Sequence, residues 1–480
     1  MLGKAITLFT AVIAGVFLTL AVGLALYIER LPDLRVWHTA ALDAEYTRDS
    51  PVSDFAEYLA LEERLFAQLD REVYARTEPA GAHTVNRYRR GSLADPGRWP
   101  VDWNRSFLWE PEQPARASVL LLHGLTDAPY SLRQLGQHLH RAGARVLGLR
   151  IPGHGTAPSG LVSVTWQDMA SAVRLAVRHL AAAPDAGPIH IVGYSNGAAL
   201  AVHYALATLE DAELPRVRSL VLLSPEIGVS RIAALAEWQA RLGRFLGIEK
   251  LQWDSVHALE YEPFKYGSFA VNGGTITHQI TDAIQRRVRR LASGGGLQQM
   301  PPILSFSSVV DATVEATAVV GGLFNYLPEG GHELVLFDIN RQSDVEHLLT
   351  WSPSRMIATL RDVPRRHYGL TVVTNAGPGT PTVVARRWEA GLGVSHDKEL
   401  ALSWPAGVYS LSHVALPFPP ADYIYGGAPP GPGPGIQLGN LALRGERGAL
   451  AISASAQLRL RWNPFYDWLE ERATAFMALD

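Results

Sequence analysis

Positions 5–28 are apolar or small throughout and uncharged, behind a single Lys4. A run of that length matches the ~20 residues a helix needs to cross a bilayer core. A secretory signal would carry a shorter apolar region, of about 7–15 residues, and a small-residue cleavage site. Ala21-Val22-Gly23 offers such a site, but apolar residues continue beyond it to position 28. The pattern predicts an uncleaved single-pass anchor over 1–30. Lys4 and the terminal amine on one side nearly balance Arg30 and Arg35 on the other, so basic residues alone do not orient the span. A first span ahead of a long soluble part usually leaves that part outside, so a periplasmic or other extracytoplasmic location is expected.

Beyond the span the pattern changes several times. Residues 31–54 are irregular. Phe55, Tyr58, Leu59, Leu65, Phe66, Leu69 and Val73 then recur at helical spacing. They predict an amphipathic helix over about 54–76, packed on the rest of the chain or lying on a lipid surface. Residues 78–115 read as loops and short extended pieces, with Trp99, Trp103, Phe107 and Trp109 available to bury. Together 31–116 form an N-terminal extension. From 117 the rhythm is different. Strands are predicted at 117–122, 145–149, 189–192 and 220–223, and helices at 131–142, 166–182 and 198–209. Short apolar strands alternating with helices predict an α/β fold, a mostly parallel sheet with helices on both faces. Function in such sheets gathers at the carboxyl ends of the strands.

The first part of this core runs over 117–225. Residues 226–300 break the rhythm and would sit over the strand ends as a helical cap. Phe264, Tyr266 and Phe269 there either line an apolar pocket or pack within the cap. Arg286, Arg287, Arg289 and Arg290 form a solvated helix face or a contact for anionic lipid. The sheet resumes at 303–307 and 333–337, opening a second core part over 301–480. An insertion at about 340–405 contributes two extra strands, at 370–373 and 382–384. Residues 428–435 form a Pro/Gly-rich loop. Asn463-Pro464 opens a terminal helix, with Asn as N-cap and Pro at the first position.

Composition narrows the chemistry. The 480 residues are 47% hydrophobic, enough for one large core with insertions. A net charge of −3 gives no reason to expect a nucleic-acid partner. Cysteine is absent, which excludes a thiol nucleophile, disulfides and thiolate metal sites.

The strongest chemical signal is Gly193-Tyr194-Ser195-Asn196-Gly197. It follows the strand at 189–192 and leads into the helix at 198–209. Strand, tight turn and helix with a serine at the apex make a nucleophile elbow. The serine needs a strained backbone there, and Gly193 and Gly197 remove side chains that would collide with neighbouring chain. A serine also needs a base, and the base an acid to fix its tautomer. In an elbow-bearing sheet they follow in the order serine, acid, histidine. Asp311, just after the strand at 303–307, is the expected acid, with Asp338 as the fallback. His413 ends a partly apolar extended run and is the expected base. Its rival is His347, nearer to Asp311 along the chain, with His332 behind. Acyl transfer needs donors for the developing oxyanion. Asn196 and Leu125 supply the expected backbone N–H groups. His123 and His154 are expected to brace loops.

Leu122-His123-Gly124-Leu125-Thr126, Arg150-Ile151-Pro152-Gly153-His154-Gly155-Thr156, Trp166-Gln167-Asp168 and the elbow together resemble the monoacylglycerol lipase and carboxylesterase branch of the α/β-hydrolases. The resemblance covers 117–225 well, and 303–314 and 408–414 more thinly. It implies an α/β-hydrolase fold with Ser195 as nucleophile, Asp311 as acid, His413 as base, and Leu125 and Asn196 as oxyanion donors. The chain departs from the family pattern in its anchor with a long N-terminal extension, and in the roughly 100 residues between acid and histidine. The expected function is a membrane-anchored serine hydrolase that cleaves acyl esters or lipids through an acyl-enzyme, with no metal or organic cofactor. An acyltransferase would use the same residues with an alcohol in place of water. A peptidase would want a cap carboxylate such as Glu260 or Glu262 for a substrate amine. A non-catalytic scaffold would have no need to keep all three residues.

Overall fold

Seven short strands of mostly small and apolar side chains make the centre of the molecule. The computed structural model describes residues 2–78, 85–228, 247–342, 345–441 and 454–480. In chain order the strands are β1 (Phe107–Trp109), β2 (Ala117–Leu122), β3 (Ala144–Leu149), β4 (Ile189–Tyr194), β5 (Ser219–Leu223), β6 (Trp253–Ser255) and β7 (Phe269–Ala270). They continue with β8 (Ile303–Ser308), β9 (Glu333–Phe337), β10 (Gly369–Asn375), β11 (Thr382–Trp388) and β12 (Ser395–Ser403). Ten form one sheet in the order β1-β3-β2-β4-β5-β8-β9-β10-β11-β12. The seven from β3 to β10 run parallel, and β1, β11 and β12 pair antiparallel at the two ends. Every residue of those seven is buried, as a parallel sheet covered on both faces requires.

Strand periodicity splits the core in two. Leu120 and Leu122 point to one face, where helices Trp166–Ala181, Asn196–Thr208 and Val271–Ser293 cover them. Val119 and Leu121 point to the other, beneath Arg133–Arg141 and Tyr466–Phe476. The molecule has the α/β-hydrolase fold.

The helix Phe55–Glu72 starts at an Asp54 cap that accepts the Glu57 N–H. It packs on the protein: Phe55 and Tyr58 join the main core, and Phe66 and Leu69 a smaller one with Trp37 and Tyr88. Arg150, from the motif after β3, welds the extension to the sheet. Its buried guanidinium bonds Glu45 at 2.9 Å and Glu62 at 3.0 Å. The apolar helix Leu2–Arg30 has an exposed face throughout its described side chains, and Phe9–Arg30 is long and apolar enough to cross a membrane. At its end Lys250 Nζ bonds Leu31 O at 3.1 Å and Asp33 at 2.8 Å.

Several details differ from the sequence reading. The segment before 117 contributes β1 to the sheet. The helix after the elbow begins at Asn196, two residues early. Between β5 and β8 the described residues hold a two-stranded ribbon, β6–β7, as well as the long helix Val271–Ser293; residues 229–246 lie outside the description. The insertion adds three strands rather than two. β12 was missed because its Ser395-His396-Asp397-Lys398-Glu399 stretch is polar on both faces, as suits a sheet edge. The last helix starts at Tyr466, because Asn463 spends its side chain on the Phe465 N–H and turns the chain before the helix begins.

Three of the four arginines of the run form ion pairs, and Arg289 donates to Gln285. Arg286 bonds Asp282, and Arg287 and Arg290 both hold Glu210. Phe264 stacks on Tyr130 with centroids 4.6 Å apart and so packs, whereas Tyr266 and Phe269 face a cavity.

Candidate active site

The elbow is built by close approach. Between β4 and the helix Asn196–Thr208, Ser195 takes φ 54° and ψ −117°, a costly conformation for a residue with a side chain. Its N–H donates to Leu223 O at 2.9 Å, which ties the turn to β5. A Cβ on Gly193 would come within 2.5 Å of Ala198 Cα. A Cβ on Gly197 would collide with the carbonyl oxygens of Leu122 and His123.

The structure brings Ser195, Asp311 and His413 together. His413 Nε2 lies 3.1 Å from Ser195 Oγ, and His413 Nδ1 lies 2.8 Å from Asp311 Oδ2. With the proton on Nδ1, Nε2 is left to accept the serine proton. Asp311 Oδ1 accepts the N–H groups of Thr313 at 2.8 Å and Val314 at 2.9 Å. Burial would raise the Asp311 carboxyl, but the bond and charge of His413 and these two N–H groups outweigh it and hold the carboxyl below its usual range.

His413 reaches this point after a long detour, and the detour is clasped shut. Asn340, just after β9, donates its N–H to Tyr409 O at 2.7 Å and its side-chain amide to Val408 O at 3.1 Å. Ser308, the last residue of β8, donates its hydroxyl to Leu411 O at 2.8 Å. The chain between Asn340 and Val408 forms its own strands and returns to where it left. The rival residues lie elsewhere. Asp338 is held by Arg341 at 2.7 Å and by Thr374. His347 is exposed on the turn Val345–Leu348, and buried His332 accepts the Ile303 N–H.

Asn196 opens the elbow helix, so its N–H has no acceptor within the helix. Leu125 and Ser195 line the same cavity of ≈ 400 Å³. His123 braces the Leu125 loop: Nδ1 donates to Gly124 O at 2.9 Å, and Nε2 accepts the Ile151 N–H at 3.0 Å. Burial pushes His123 well below its ordinary pKa and keeps it neutral. His154, bonded to Pro152 O, packs edge-on against it.

Sequence reasoning passed over four charged groups in this cavity: Asp127, Glu226, Lys265 and Arg459. Burial raises Asp127 to about 6, against the pull of Lys265 at 3.8 Å. Burial raises Glu226 to about 7, and the charge of Asp311 adds to it. Glu226 follows the end of β5, so the rule that function gathers at strand ends was the signal that could have found it. The peptidase candidates are occupied. Glu260 accepts the N–H groups of Gly267 and Ser268, and Glu262 bonds the Tyr425 hydroxyl and Arg461. Among the described residues no group of three or more His, Asp and Glu side chains is placed to hold a metal ion.

A family model described as serine aminopeptidase, S33, matches residues 113–292. A search of curated protein sequences finds no match. Among solved structures, one reported for the metagenome-derived lipolytic enzymes LipS and LipT is 19% identical, with a TM-score of 0.37, covering 54% of this chain and 98% of its own. The monoacylglycerol lipase of Paleococcus ferrophilus is 18% identical, with a TM-score of 0.37 and coverage of 48% and 88%. A soluble variant of the Saccharomyces cerevisiae monoglyceride lipase, in complex with a substrate analog, is 16% identical, with a TM-score of 0.37 and coverage of 48% and 81%. The sheet and the strained serine elbow give this chain the α/β-hydrolase fold, and the family match over 113–292 falls on the part of the chain that carries the elbow.

Proposed function

We propose that the chain is a membrane-anchored serine hydrolase that cleaves acyl esters. The observation that carries this reading is the single imidazole bonded to both Ser195 and Asp311. His413 takes the Ser195 proton as Oγ attacks the acyl carbonyl, and Asp311 stabilises the imidazolium that forms. Leu125 and Asn196 N–H groups receive the oxyanion. His413 then protonates the leaving alcohol, and a water activated by the same base releases the acyl group. In this reading 226–300 caps the strand ends, 1–30 spans the bilayer, and 31–116 seats the catalytic part on the anchor outside the cytoplasm.

The test is labelling of the full chain in detergent with a fluorophosphonate, followed by an ester chain-length panel. Labelling and turnover that both vanish in Ser195→Ala support the reading. Labelling that persists at another serine sinks the nucleophile, and peptide cleavage without ester cleavage sinks the substrate class. For topology, reporters fused at residue 40 and at the C-terminus are expected to be active only as extracytoplasmic reporters. Active cytoplasmic reporters at both sites reverse the orientation.

A further inference from the structure

Glu226 has a task left over. It is 8% exposed, and it lines the cavity that holds Ser195 Oγ. Its backbone is locked beside the nucleophile: its N–H donates to Ser195 O at 3.2 Å. Its carboxyl has the Thr277 side chain beside it. Oε2, however, has no hydrogen-bond partner among the described residues. A buried carboxyl oxygen without a partner is costly in the empty site, and a ligand that supplies a donor removes that cost.

We propose that Glu226 is a specificity-determining residue that hydrogen-bonds a hydroxyl group of the ester substrate through Oε2. The proposal rests on the ester-hydrolase reading and adds the substrate feature that this site selects. A hydroxyl fits better than an ammonium on two grounds. Lys265 and Arg459 line the same cavity and repel a cation, with Asp127 offsetting only part of that charge. A hydroxyl can also donate to an ionised carboxyl and accept from a protonated one. Burial holds the Glu226 carboxyl near 7, so both forms are present at neutral pH. An ammonium suits only the ionised form.

The hydroxyl can belong to the acyl or the alcohol part of the ester, and paired substrates separate the two. Ethyl 3-hydroxybutyrate is compared with ethyl butyrate, and 2-hydroxyethyl butyrate with propyl butyrate. For each pair the readout is the ratio of kcat/KM values, hydroxylated over plain, in the wild-type chain and in Glu226→Met and Glu226→Gln. In one pair the wild type is expected to favour the hydroxylated ester. Glu226→Met, close in volume but without an oxygen, is expected to lower that ratio about 10- to 100-fold. Glu226→Gln, which keeps one acceptor, is expected to lower it less and serves alone if the Met variant does not fold. A ratio unchanged in both variants overturns the proposal while the ester reading stands. A loss confined to an aminoethyl ester overturns the choice of hydroxyl. A wild type that turns over no ester although Ser195 is labelled overturns both readings.

Discussion

Ser195 and His413 meet at one point by opposite routes. Ser195 is delivered by a contiguous unit of β4, one turn and one helix, held by backbone contacts too close to admit a Cβ. His413 arrives after an excursion that adds β10, β11 and β12 to the sheet, held by a few polar contacts from Asn340 and Ser308. The Ser195 half is steric and local, and the His413 half is polar and long-range. Length along the chain matters little on the base side, because closure entropy grows only with the logarithm of loop length and the excursion pairs with its own strands.

The largest effects should ignore the distinction. Ser195→Ala and His413→Ala are each expected to lower kcat/KM on a short-chain ester by about 10³- to 10⁶-fold, with the denaturation midpoint little changed. His347→Ala is expected to stay within a few-fold of wild type. Near wild-type turnover in His413→Ala, with a collapse in His347→Ala, would show that the base is His347.

Sterics and polarity then part company. Gly197→Ala puts a methyl into the Leu122 and His123 carbonyls and should destabilise the fold by about 3 kcal/mol, read as a fall in the urea midpoint. A variant as stable as wild type would mean that the elbow can open.

Two carboxyls sharpen the contrast through pH. Glu226 is raised to about 7 in the fold, above its unfolded value, so its favourable contribution is complete below pH ~4.3 and is lost as pH rises through about 7. The stability of Glu226→Gln minus that of wild type should therefore grow by about 2–3 kcal/mol between pH 4.5 and 8. Asp311 is lowered, so its contribution is present above its unfolded value of ~3.9 and is lost as pH falls through the lower folded value. Asp311→Asn should be less stable than wild type at pH 7 and converge with it in strong acid. The same slope for both variants would contradict these opposite environments.

The smallest effect tests the clasp. Asn340→Ala leaves its backbone bond to Tyr409 but removes the side-chain bonds to Val408 O and from the Gln342 N–H, and should cost about 1–2 kcal/mol. If the clasp positions His413, kcat should fall several-fold while KM holds. Activity unchanged alongside the full stability loss would make Asn340 merely structural.

What could be read from the sequence follows the same division. The elbow was legible because strand, glycines, serine and helix are contiguous, and because the collisions that demand Gly193 and Gly197 are local. The parallel core was legible because strands buried on both faces read as mostly apolar runs. The extended run before His413 drew the choice of base there, although chain separation pointed to His347. Asn340 and Ser308 were not legible, since an isolated asparagine or serine near a strand end carries no signal until its distant acceptor is known. β12 was hidden by its polarity. Glu226 was hidden because its burial depends on the helix Val271–Ser293 packing above it, through Thr277 and Thr281.

The polar edge of the sheet has a consequence for crowding. Tethered to one bilayer, copies of this chain would be confined to a plane and would collide side by side far more often than in free solution. β12 ends the sheet with exposed His396, Asp397, Lys398 and Glu399, and Arg386 on β11 already pairs with Asp397. A second copy pairing along this border would have to strip water from alternating charges for each ladder bond it gained. On the proposed anchor, this border would limit two-dimensional polymerisation of neighbouring copies.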